Sequence, residues 1–431
     1  MIEKTKLPVY SVQIVGQGYA PLLAAITLKK RHPLKFHIEV LSSPLEDTQK
    51  LTSTGNYFRE FHNWLDINEH KFLRATKADL QHAINIKSDG DIGYFSESPT
   101  GLMIENTRFQ HLFNYAAAQE DQYHDYNLGI KVHKNGRFTP PSNNKKSLFN
   151  QLTYGYIFQD QAYYHFLLSE AQALDIKITP SPTAPSLSAD LTIFTDVPRA
   201  DKKKYYQPLL KGLSSETHYE KGPHHGSTIH LKPELRHDLK HNGINENTVY
   251  SAQANQSSFG YHEKSFHGKT LLLGSAYADL PGLIIDPVFS LQSQLMSFCK
   301  LSRLTTSAAQ AQIFNRNTQR EIQSLAEIDE AVMYAANLGN INYTPETLHR
   351  IKLFSASGSI TQIDGGYMTE CTWLSLLYAI LGRPKSFPAP AEALSRNDMR
   401  QRLAKVKKTI SEAANKPPLY TNFLHSTQKD N

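Results

Sequence analysis

Cysteine, tryptophan and long apolar runs are all scarce in this sequence. Its two cysteines, Cys299 and Cys371, lie in apolar stretches with helical periodicity and show no CxxC or metal-ligand spacing. A disulfide framework is therefore not expected, and both thiols are predicted to be buried. No apolar run approaches the ~20 residues that span a bilayer, and the first residues lack the apolar core and cleavage site of a signal peptide. We therefore expect a cytoplasmic protein that does not enter a membrane.

Basic residues exceed acidic residues only slightly, with a formal net charge of +6 over 431 residues. The densest basic run, "RQRLAKVKKTI", carries Met399, Leu403, Val406 and Ile410 at helical spacing. Its lysines are therefore predicted to form the solvated face of an amphipathic helix. No basic patch is interleaved with aromatic residues, so we expect no nucleic-acid partner. The length indicates two packed domains, or one α/β domain with insertions.

The N-terminal stretch "VQIVGQGYAPLLAAITLKK" predicts a strand, a glycine turn and a helix. Val9–Val15 has the pattern of a buried parallel strand, Pro21–Lys30 that of a helix, and Phe36–Leu41 that of a second strand. A proline is well suited to a first helical turn, where its missing N–H would have had no partner. Together these segments form one βαβ unit.

The turn of this unit has a degraded dinucleotide-binding pattern, Gly-x-Gly-x-x-Pro. Gly16 permits the tight turn, Gly18 lets the backbone approach phosphates, and Ala20 and Pro21 begin the helix whose N-terminus favours an anion. Pro21 replaces the third glycine, and Ser42 ends the second strand without the usual acidic residue. The turn therefore predicts a dinucleotide site, with an empty Rossmann-like turn as the alternative.

The rest of the chain changes character twice. "DQAYYHFLLSEAQAL" predicts a helix, and Ala189–Asp196 a strand after it. Lys203–Tyr261 has the short apolar runs and turn residues of a β-rich domain, whereas the sequence from Ser290 onward is mostly helical. Within the β-rich part, His224, His225 and His230 leave a metal pair as an alternative, but no cysteine or carboxylate completes a tetrahedral set, so no metal is predicted.

A second stretch, "LLLGSAYADLPGLIIDP", resembles the second flavin motif of FAD-dependent monooxygenases and halogenases. In that motif a strand ends in Gly-Asp, which reads Gly274-Ser275 here. Asp286 and Pro287 then open a helix that also carries Ser290, and its N-terminal amides would face the flavin. The resemblance implies FAD as the cofactor.

Over nearly its whole length the chain resembles the flavin-dependent tryptophan halogenase family. The likeness lies in "FHNWLDINEHKFLRATKADLQHAINI", "YGYIFQDQAYYHFLLSEAQALDIKI", "FNRNTQREIQSLAEIDEAV", "TWLSLLYAILGRP" and the closing "PLYTNFL". It implies an α/β fold with a Rossmann-like FAD-binding domain, an interleaved β-rich substrate domain and a helical C-terminal part. The implied segments are 1–80 for the FAD-binding βαβ part, 81–265 for the mixed substrate domain, 266–300 for the second FAD motif and 301–431 for the helical part.

The chain departs from that family where halogenation needs particular residues. The position matching the catalytic lysine is Gln81, which is neither a cation nor able to form a chloramine. The position matching the catalytic glutamate is Phe289, and Ser290, Leu291 and Gln292 replace the Ser-Thr-Gly that binds halide. The Trp-x-Trp-x-Ile-Pro signature is missing, because the only tryptophans are Trp64 and Trp373. We therefore do not expect a tryptophan halogenase.

What remains is flavin-dependent oxygen chemistry without halide, in a non-halogenating branch of the family. The departures resemble those of flavoprotein monooxygenases that mature tryptophylquinone enzymes. They imply hydroxylation of a tryptophan in a partner polypeptide, with Gln81 as a catalytic candidate by position alone. Without a second nucleotide fold for NAD(P)H, an external flavin reductant is expected. Two alternatives stay open: a monooxygenase on a small or carrier-tethered aromatic, and a non-catalytic assembly factor that keeps the fold.

Overall fold

The computed structural model describes residues 9–43, 49–88, 91–101, 107–180, 189–195, 206–210, 213–221, 226–231, 235–252, 259–301, 308–339, 341–361, 368–387 and 395–429. The helices of this part are α1 Tyr19–Arg31, α2 Asn56–Trp64, α3 Glu69–Thr76, α4 Phe109–Ala116, α5 Leu128–Lys134, α6 Asp160–Ala173, α7 Val288–Cys299, α8 Ala308–Ala335, α9 Pro345–Ser357, α10 Glu370–Leu381, α11 Arg396–Ala414 and α12 Tyr420–Lys429. The strands are β1 Val9–Gln17, β2 Lys35–Ser43, β3 Leu51–Ser53, β4 Asp79–Gln81, β5 Ile84–Ser88, β6 Asp91–Phe95, β7 Gly155–Gln159, β8 Lys177–Pro180, β9 Leu191–Phe194, β10 Tyr206–Leu210, β11 Leu213–Lys221, β12 Gly226–His230, β13 Leu235–His241, β14 Ile244–Ala252, β15 Phe259–His262, β16 Phe266–His267, β17 Thr270–Leu272 and β18 Ala278–Asp279.

The chain divides into two compact units, and the first is built on a mostly parallel sheet. This unit comprises Met1–Ala78, Phe158–Ser214 and Ala254–Ala326. Its six strands run in the order β16-β17-β9-β1-β2-β8, and every pair except β16 with β17 is parallel. A parallel sheet with a crossover helix after its first strand is a Rossmann-like arrangement, as the sequence predicts.

Helix α1 is the crossover helix of that arrangement, and it begins two residues before the predicted start at Pro21. It packs against β2 and α6, and its residues from Pro21 to Leu28 are all buried. Pro21 lies in the first turn, where the missing N–H leaves no intrahelical hydrogen bond unmade. Lys29, Lys30 and Arg31 end the helix, where positive charge complements its dipole.

The second unit combines an antiparallel-rich sheet with most of the C-terminal helices. It comprises Asp79–Ile157, Ser215–Gln253 and Glu327–Asn431. Its six-stranded sheet has the order β11-β14-β13-β12-β5-β6, in which β12 and β5 are parallel and β13 is antiparallel to both β12 and β14. Helix α10 buries Trp373 and the leucines around it, and the guanidinium of Arg350 on α9 lies 4.4 Å from the Trp373 ring centroid. The predicted β-rich middle and helical C-terminal part are thus both present.

Two details differ from the sequence-based expectations. Cys299 is buried, but Cys371 is exposed, because it follows Glu370 in the first turn of α10 on the solvent side. The strand expected at Ala189–Asp196 spans Leu191–Phe194, and Asp196 lies outside the described residues. Over the described ranges, no helix combines the length and apolar character that a bilayer span requires.

Candidate functional site

The turn between β1 and α1 leaves the N-terminus of α1 open. Gly18 occupies the N-cap position with φ 62° and ψ −141°, a conformation that suits glycine, and no side chain caps the helix. The Gly18 N–H donates to the Ser43 carbonyl at 3.1 Å, and Gly16 pairs with Ser42 in the parallel register. The first amides of α1, at Tyr19 and Ala20, therefore keep the partial positive charge that binds phosphate.

The second flavin-like turn is held next to the same sheet by side-chain hydrogen bonds. The Gly274 N–H donates to Gln294 Oε1 at 2.8 Å, and Gln294 Nε2 donates to Ser290 Oγ at 2.9 Å. The Ser275 hydroxyl donates to the Thr195 carbonyl at 3.0 Å. Because the Thr195 N–H in turn donates to the Val15 carbonyl at 3.0 Å, these bonds connect Ser275 to the end of β1.

The entry to α7 is also fixed by its backbone. Gly282 has a φ of 67°, and a β-carbon at this position would lie 2.5 Å from Pro287 Cδ. Only glycine fits so close to the proline ring without a shift of the chain. The loop therefore delivers Asp286 and Pro287 to the helix start in one defined geometry.

The first amides of α7 already have acceptors within the helix start. The Val288 N–H donates to Asp286 Oδ1 at 2.8 Å. The Phe289 N–H donates to the Asp286 carbonyl, and the Ser290 N–H to the Pro287 carbonyl, both at 3.0 Å. A flavin at this helix could use these amides only as shared donors, which makes the open α1 terminus the stronger anion site.

Two carboxylates and a lysine lie close to the start of α1. Asp160, 1% exposed, accepts a hydrogen bond from Thr52 Oγ1 at 2.6 Å and lies 3.6 Å from Lys50 Nζ. Loss of hydration raises the pKa of Asp286 from its ordinary 3.8 to about 7, and the negative charge of Asp160 adds to the rise while Lys50 opposes it. Burial and both carboxylates raise the pKa of Tyr19 well above its ordinary range.

The start of α7 carries Phe289, which is apolar, and Gln292, which has an amide side chain. Phe289 packs edge-on against Tyr57, with ring centroids 4.9 Å apart. Gln292 is 2% exposed, and neither its amide oxygen nor its amide nitrogen has a hydrogen-bond partner among the described residues. An unpaired buried amide is costly, so the Gln292 amide is expected to take a water or a polar ligand atom as its partner.

Gln81 lies in the second unit, at the end of strand β4. It is 5% exposed and pairs with Gly155 of β7 in an antiparallel register. His82, the next residue, stacks on Phe138 with centroids 4.6 Å apart, and its Nδ1 lies 2.7 Å from the Thr153 carbonyl. Burial lowers the pKa of His82 to about 4, so the imidazole is neutral at physiological pH.

A buried hydrogen-bond network fixes the strand that carries Gln81. The Tyr420 hydroxyl accepts from the Leu80 N–H at 2.8 Å and donates to Asp79 Oδ1 at 2.9 Å. The other Asp79 oxygen lies 2.8 Å from His241 Nδ1, and His241 is 1% exposed. His241 of β13 and Tyr420 at the start of α12 thus fix the position of β4 through Asp79 and Leu80.

The predicted cofactor residues share one unit, whereas Gln81 belongs to the other. Those in the first unit are Gly16, Gly18, Ala20, Pro21, Ser42, Gly274, Ser275, Asp286, Pro287 and Ser290. The sequence did not indicate Asp160, Lys50 or Tyr19. It also did not indicate that Gln294 bonds both Gly274 and Ser290. An acidic residue directly after the buried strand "YIFQ" is the one signal that could have indicated Asp160. For the metal alternative, His224 and His225 lie outside the described residues, and His230 Nε2 lies 2.8 Å from Asp238 Oδ2.

The residues present fit FAD at its phosphate end. The open α1 terminus, with no Cβ at Gly16 or Gly18, suits a pyrophosphate, and Ser42 at the adjacent strand end offers a hydroxyl in place of an acid. Asp286 is compatible with a bound anion because its raised pKa leaves it partly neutral near pH 7.

Two comparisons with known proteins, one of sequence patterns and one of solved structures, found similarities. The family model described as tryptophan halogenase matches residues 11–184. BrvH, a flavin-dependent halogenase from Brevundimonas sp. BAL3, superposes with a TM-score of 0.85 at 13% identity, over 97% of this chain and 99% of that chain. Xcc4156, a flavin-dependent halogenase from Xanthomonas campestris, gives 0.85 at 16% identity, over 97% and 98%. MibH, titled a lathipeptide tryptophan 5-halogenase, gives 0.72 at 13% identity, over 100% and 95%.

No curated protein matches the chain. At these identities the structural likeness shows the fold alone, and the family model covers the N-terminal part of the chain. The protein therefore has the fold of the flavin-dependent halogenases, and its residues 11–184 carry the sequence pattern of the tryptophan halogenase family.

Proposed function

We propose that this protein is an FAD-dependent monooxygenase that adds oxygen to an aromatic ring and uses no halide. The observation that carries the proposal is the pair of side chains at the two halogenation positions. Gln81 is a buried amide with no basic nitrogen, and Phe289 is an aromatic ring packed on Tyr57. Neither can form a chloramine or accept a proton, so the scaffold keeps a flavin site without the residues that direct a halogen.

The residues of the first unit would bind and orient the flavin. The amides at Tyr19 and Ala20 would hold the pyrophosphate, and Ser42 would contact the ribose. Gln294 would keep the Gly274 turn in place. When bound, FAD supplies the oxygen activation, and the protein provides orientation and a site that excludes water.

Asp286 is the residue of this site best able to hold or release a proton. With a pKa of about 7 it is protonated in about half of the molecules near neutral pH. Its Oδ1 is already bound by the Val288 N–H, so the second oxygen is the one that could exchange a proton. We expect it to tune the pH dependence of the reaction.

The substrate we propose is a tryptophan ring of a partner polypeptide, modified during tryptophylquinone cofactor biogenesis. Support comes from the departures at Gln81 and Phe289, which resemble those of the flavoproteins that act in this process. A fold neighbour, MibH, is titled a lathipeptide tryptophan 5-halogenase, which supports a tryptophan within a peptide as the substrate. A separate flavin reductant would supply the electrons. A small or carrier-tethered aromatic is the alternative substrate.

Halogenation is the second candidate, because the family model and the fold neighbours are those of halogenases. The unpaired amide of Gln292 favours it modestly, since an amide N–H could donate to a halide. A non-catalytic assembly factor is the third candidate. The occupied amides at the start of α7 favour that candidate.

The test begins with the absorbance spectrum of the purified protein before and after addition of FAD. Bound yellow flavin supports an enzyme, and a protein that takes up neither oxidised nor reduced FAD would favour the assembly factor. The loaded protein is then reduced by a flavin reductase and exposed to O₂ with a tryptophan-bearing peptide or a small aromatic, with and without bromide. Mass spectrometry separates an oxygenated product from a brominated one.

A further inference from the structure

A cavity of about 290 Å³ lies within the second unit, under helix α11. The other walls come from residues 98–101, from Tyr126 and Leu128, and from residues 148–152. We call it the α11 cavity. Its volume is just below the ~300–1,000 Å³ typical of small-molecule sites. None of the residues discussed for the flavin, nor Gln81, lines it.

The walls of the α11 cavity are mostly apolar. Pro99, Leu128, Leu152, Val406 and Ile410 line it together with Tyr126. The Tyr126 hydroxyl donates to Asp121 Oδ2 at 2.6 Å. Tyr126 therefore presents an apolar ring to the cavity and has no free donor there. The Ser98 hydroxyl is likewise engaged with Thr153. The interior therefore suits an apolar group and offers little to a sugar or a phosphate.

The wall formed by residues 98–101 is preorganised by hydrogen bonds within the protein. Asn127 Nδ2 donates to the Ser98 carbonyl at 2.6 Å and to Thr100 Oγ1 at 2.9 Å. The Gly101 N–H donates to the Tyr126 carbonyl at 2.9 Å. Gly101 has a φ of 67°, and a β-carbon there would collide with the Phe109 ring. Such preorganisation lowers the entropic cost of binding.

Positive charge is concentrated at one side of this cavity. Arg402 and Lys405 of α11 both line it and both are exposed. Arg402 pairs with Asp398 of its own helix at 3.1 Å, whereas Lys405 has no carboxylate partner within the described part of the chain. Lys407, on the same helix, is already neutralised by Asp121 at 2.5 Å and Asp125 at 3.0 Å. The Lys405 ammonium is thus available to an anionic ligand.

We propose that the α11 cavity is a binding site for a small molecule with an apolar body and a single carboxylate. The apolar body would fill the space between Leu128, Leu152 and Ile410, and the carboxylate would meet Lys405 and Arg402 at the rim. Leu148 lines the cavity and is 45% exposed, so the ligand would enter on its side. This site does not depend on the proposed flavin chemistry.

The test is isothermal titration of the full-length protein with 1-naphthylacetate and with its neutral amide. These probes share one ring system and differ in charge. We expect the acid to bind about tenfold more tightly than the amide, because only the acid can pair with the cations. Lys405→Gln should weaken binding of the acid about two- to fivefold and leave the affinity for the amide unchanged.

Two variants fill the cavity, and one leaves it intact. Val406→Trp and Thr409→Trp each place an indole on the cavity side of α11, and either should abolish binding of both probes in a protein that melts as the wild type does. Lys408→Gln removes a charge on the same helix, from a residue that does not line the cavity, and should change nothing. Equal affinity for acid and amide, no binding of the acid at millimolar concentration, or undiminished binding in the folded tryptophan variants would overturn the proposal.

Discussion

The hydroxyl of Tyr420 donates a hydrogen bond to Asp79 Oδ1 at 2.9 Å and accepts one from the Leu80 N–H at 2.8 Å. One side chain near the end of the sequence thus satisfies two buried polar groups of the strand that ends in Gln81. His241 holds the other Asp79 oxygen. The position of Gln81 therefore depends on residues more than 150 positions away along the chain.

Replacing Tyr420 with phenylalanine should destabilise the protein by about 1–3 kcal/mol, because Asp79 and Leu80 each lose a buried partner. Urea unfolding measures the free energy, and hydrogen exchange at the Leu80 amide should become faster. The matched control is Tyr334→Phe, which removes a hydroxyl from a residue that is 40% exposed. Equal stability of the two variants would show that the network carries no net stabilisation.

Asp286→Asn should remove the loss of folding stability that the wild type shows as pH rises towards neutrality. Because the folded-state pKa of Asp286 is raised from 3.8 to about 7, its stabilising contribution is complete below pH ~4 and is lost as pH rises through ~7. The variant keeps an oxygen for the Val288 N–H but has no proton to lose. Relative to the wild type, the unfolding free energy of the variant should therefore increase as pH rises from 4 to 7, by at most about 4 kcal/mol.

Glu263→Gln is the control for that measurement, since its side chain is 72% exposed. The unfolding free energy of each variant is measured by urea titration from pH 4 to pH 8. A constant difference between the Asp286→Asn protein and the wild type across this range would contradict the raised pKa.

Gln294→Leu should weaken flavin binding. The change removes the acceptor of the buried Gly274 N–H and a donor to Ser290, which costs about 1–3 kcal/mol. We expect the dissociation constant for FAD, measured by flavin fluorescence, to rise about tenfold. Gln323→Ala, on an exposed position of α8, is the control. If FAD binds both proteins equally well, the Gly274 turn does not contact the cofactor.

Gly18→Ala should affect the other end of the same site. The φ of 62° and ψ of −141° at Gly18 disfavour any side chain, at a cost of about 1–3 kcal/mol. FAD affinity should fall together with thermal stability. Gly136→Ala, also at positive φ but with open space around it, controls for the backbone effect. Unchanged FAD affinity in Gly18→Ala would place the phosphates elsewhere.

The sequence was most informative where neighbouring residues decide the structure. The βαβ unit followed from apolar runs, a glycine turn and a proline in a first helical turn, all within Val9–Ser43. Helix α11 followed from the spacing of four apolar residues. Met399, Leu403 and Ile410 are buried as that spacing predicts, whereas Val406 is half-buried. Local pattern is enough in both cases because periodicity reports which face is buried.

Contacts between distant segments could not be predicted in this way. Asp160 and Asp286 are separated by 126 positions, yet the negative charge of each raises the pKa of Tyr19, in addition to the larger effect of burial. The Tyr420 hydroxyl likewise binds Leu80 and Asp79, which lie about 340 positions before it along the chain. No local pattern encodes such pairings, because the fold brings them together.

Oxygenation of an aromatic ring without halide can be tested in a single labelling experiment. FAD-loaded protein is reduced by a flavin reductase and exposed to oxygen-18 gas with a tryptophan-bearing peptide and excess bromide, and the peptide is analysed by mass spectrometry. We predict a product that carries one oxygen-18 atom and no bromine, in the same yield when bromide is omitted. A brominated peptide, formed only when bromide is present, would rule out a halide-independent oxygenase and make the protein a halogenase in activity as well as in fold.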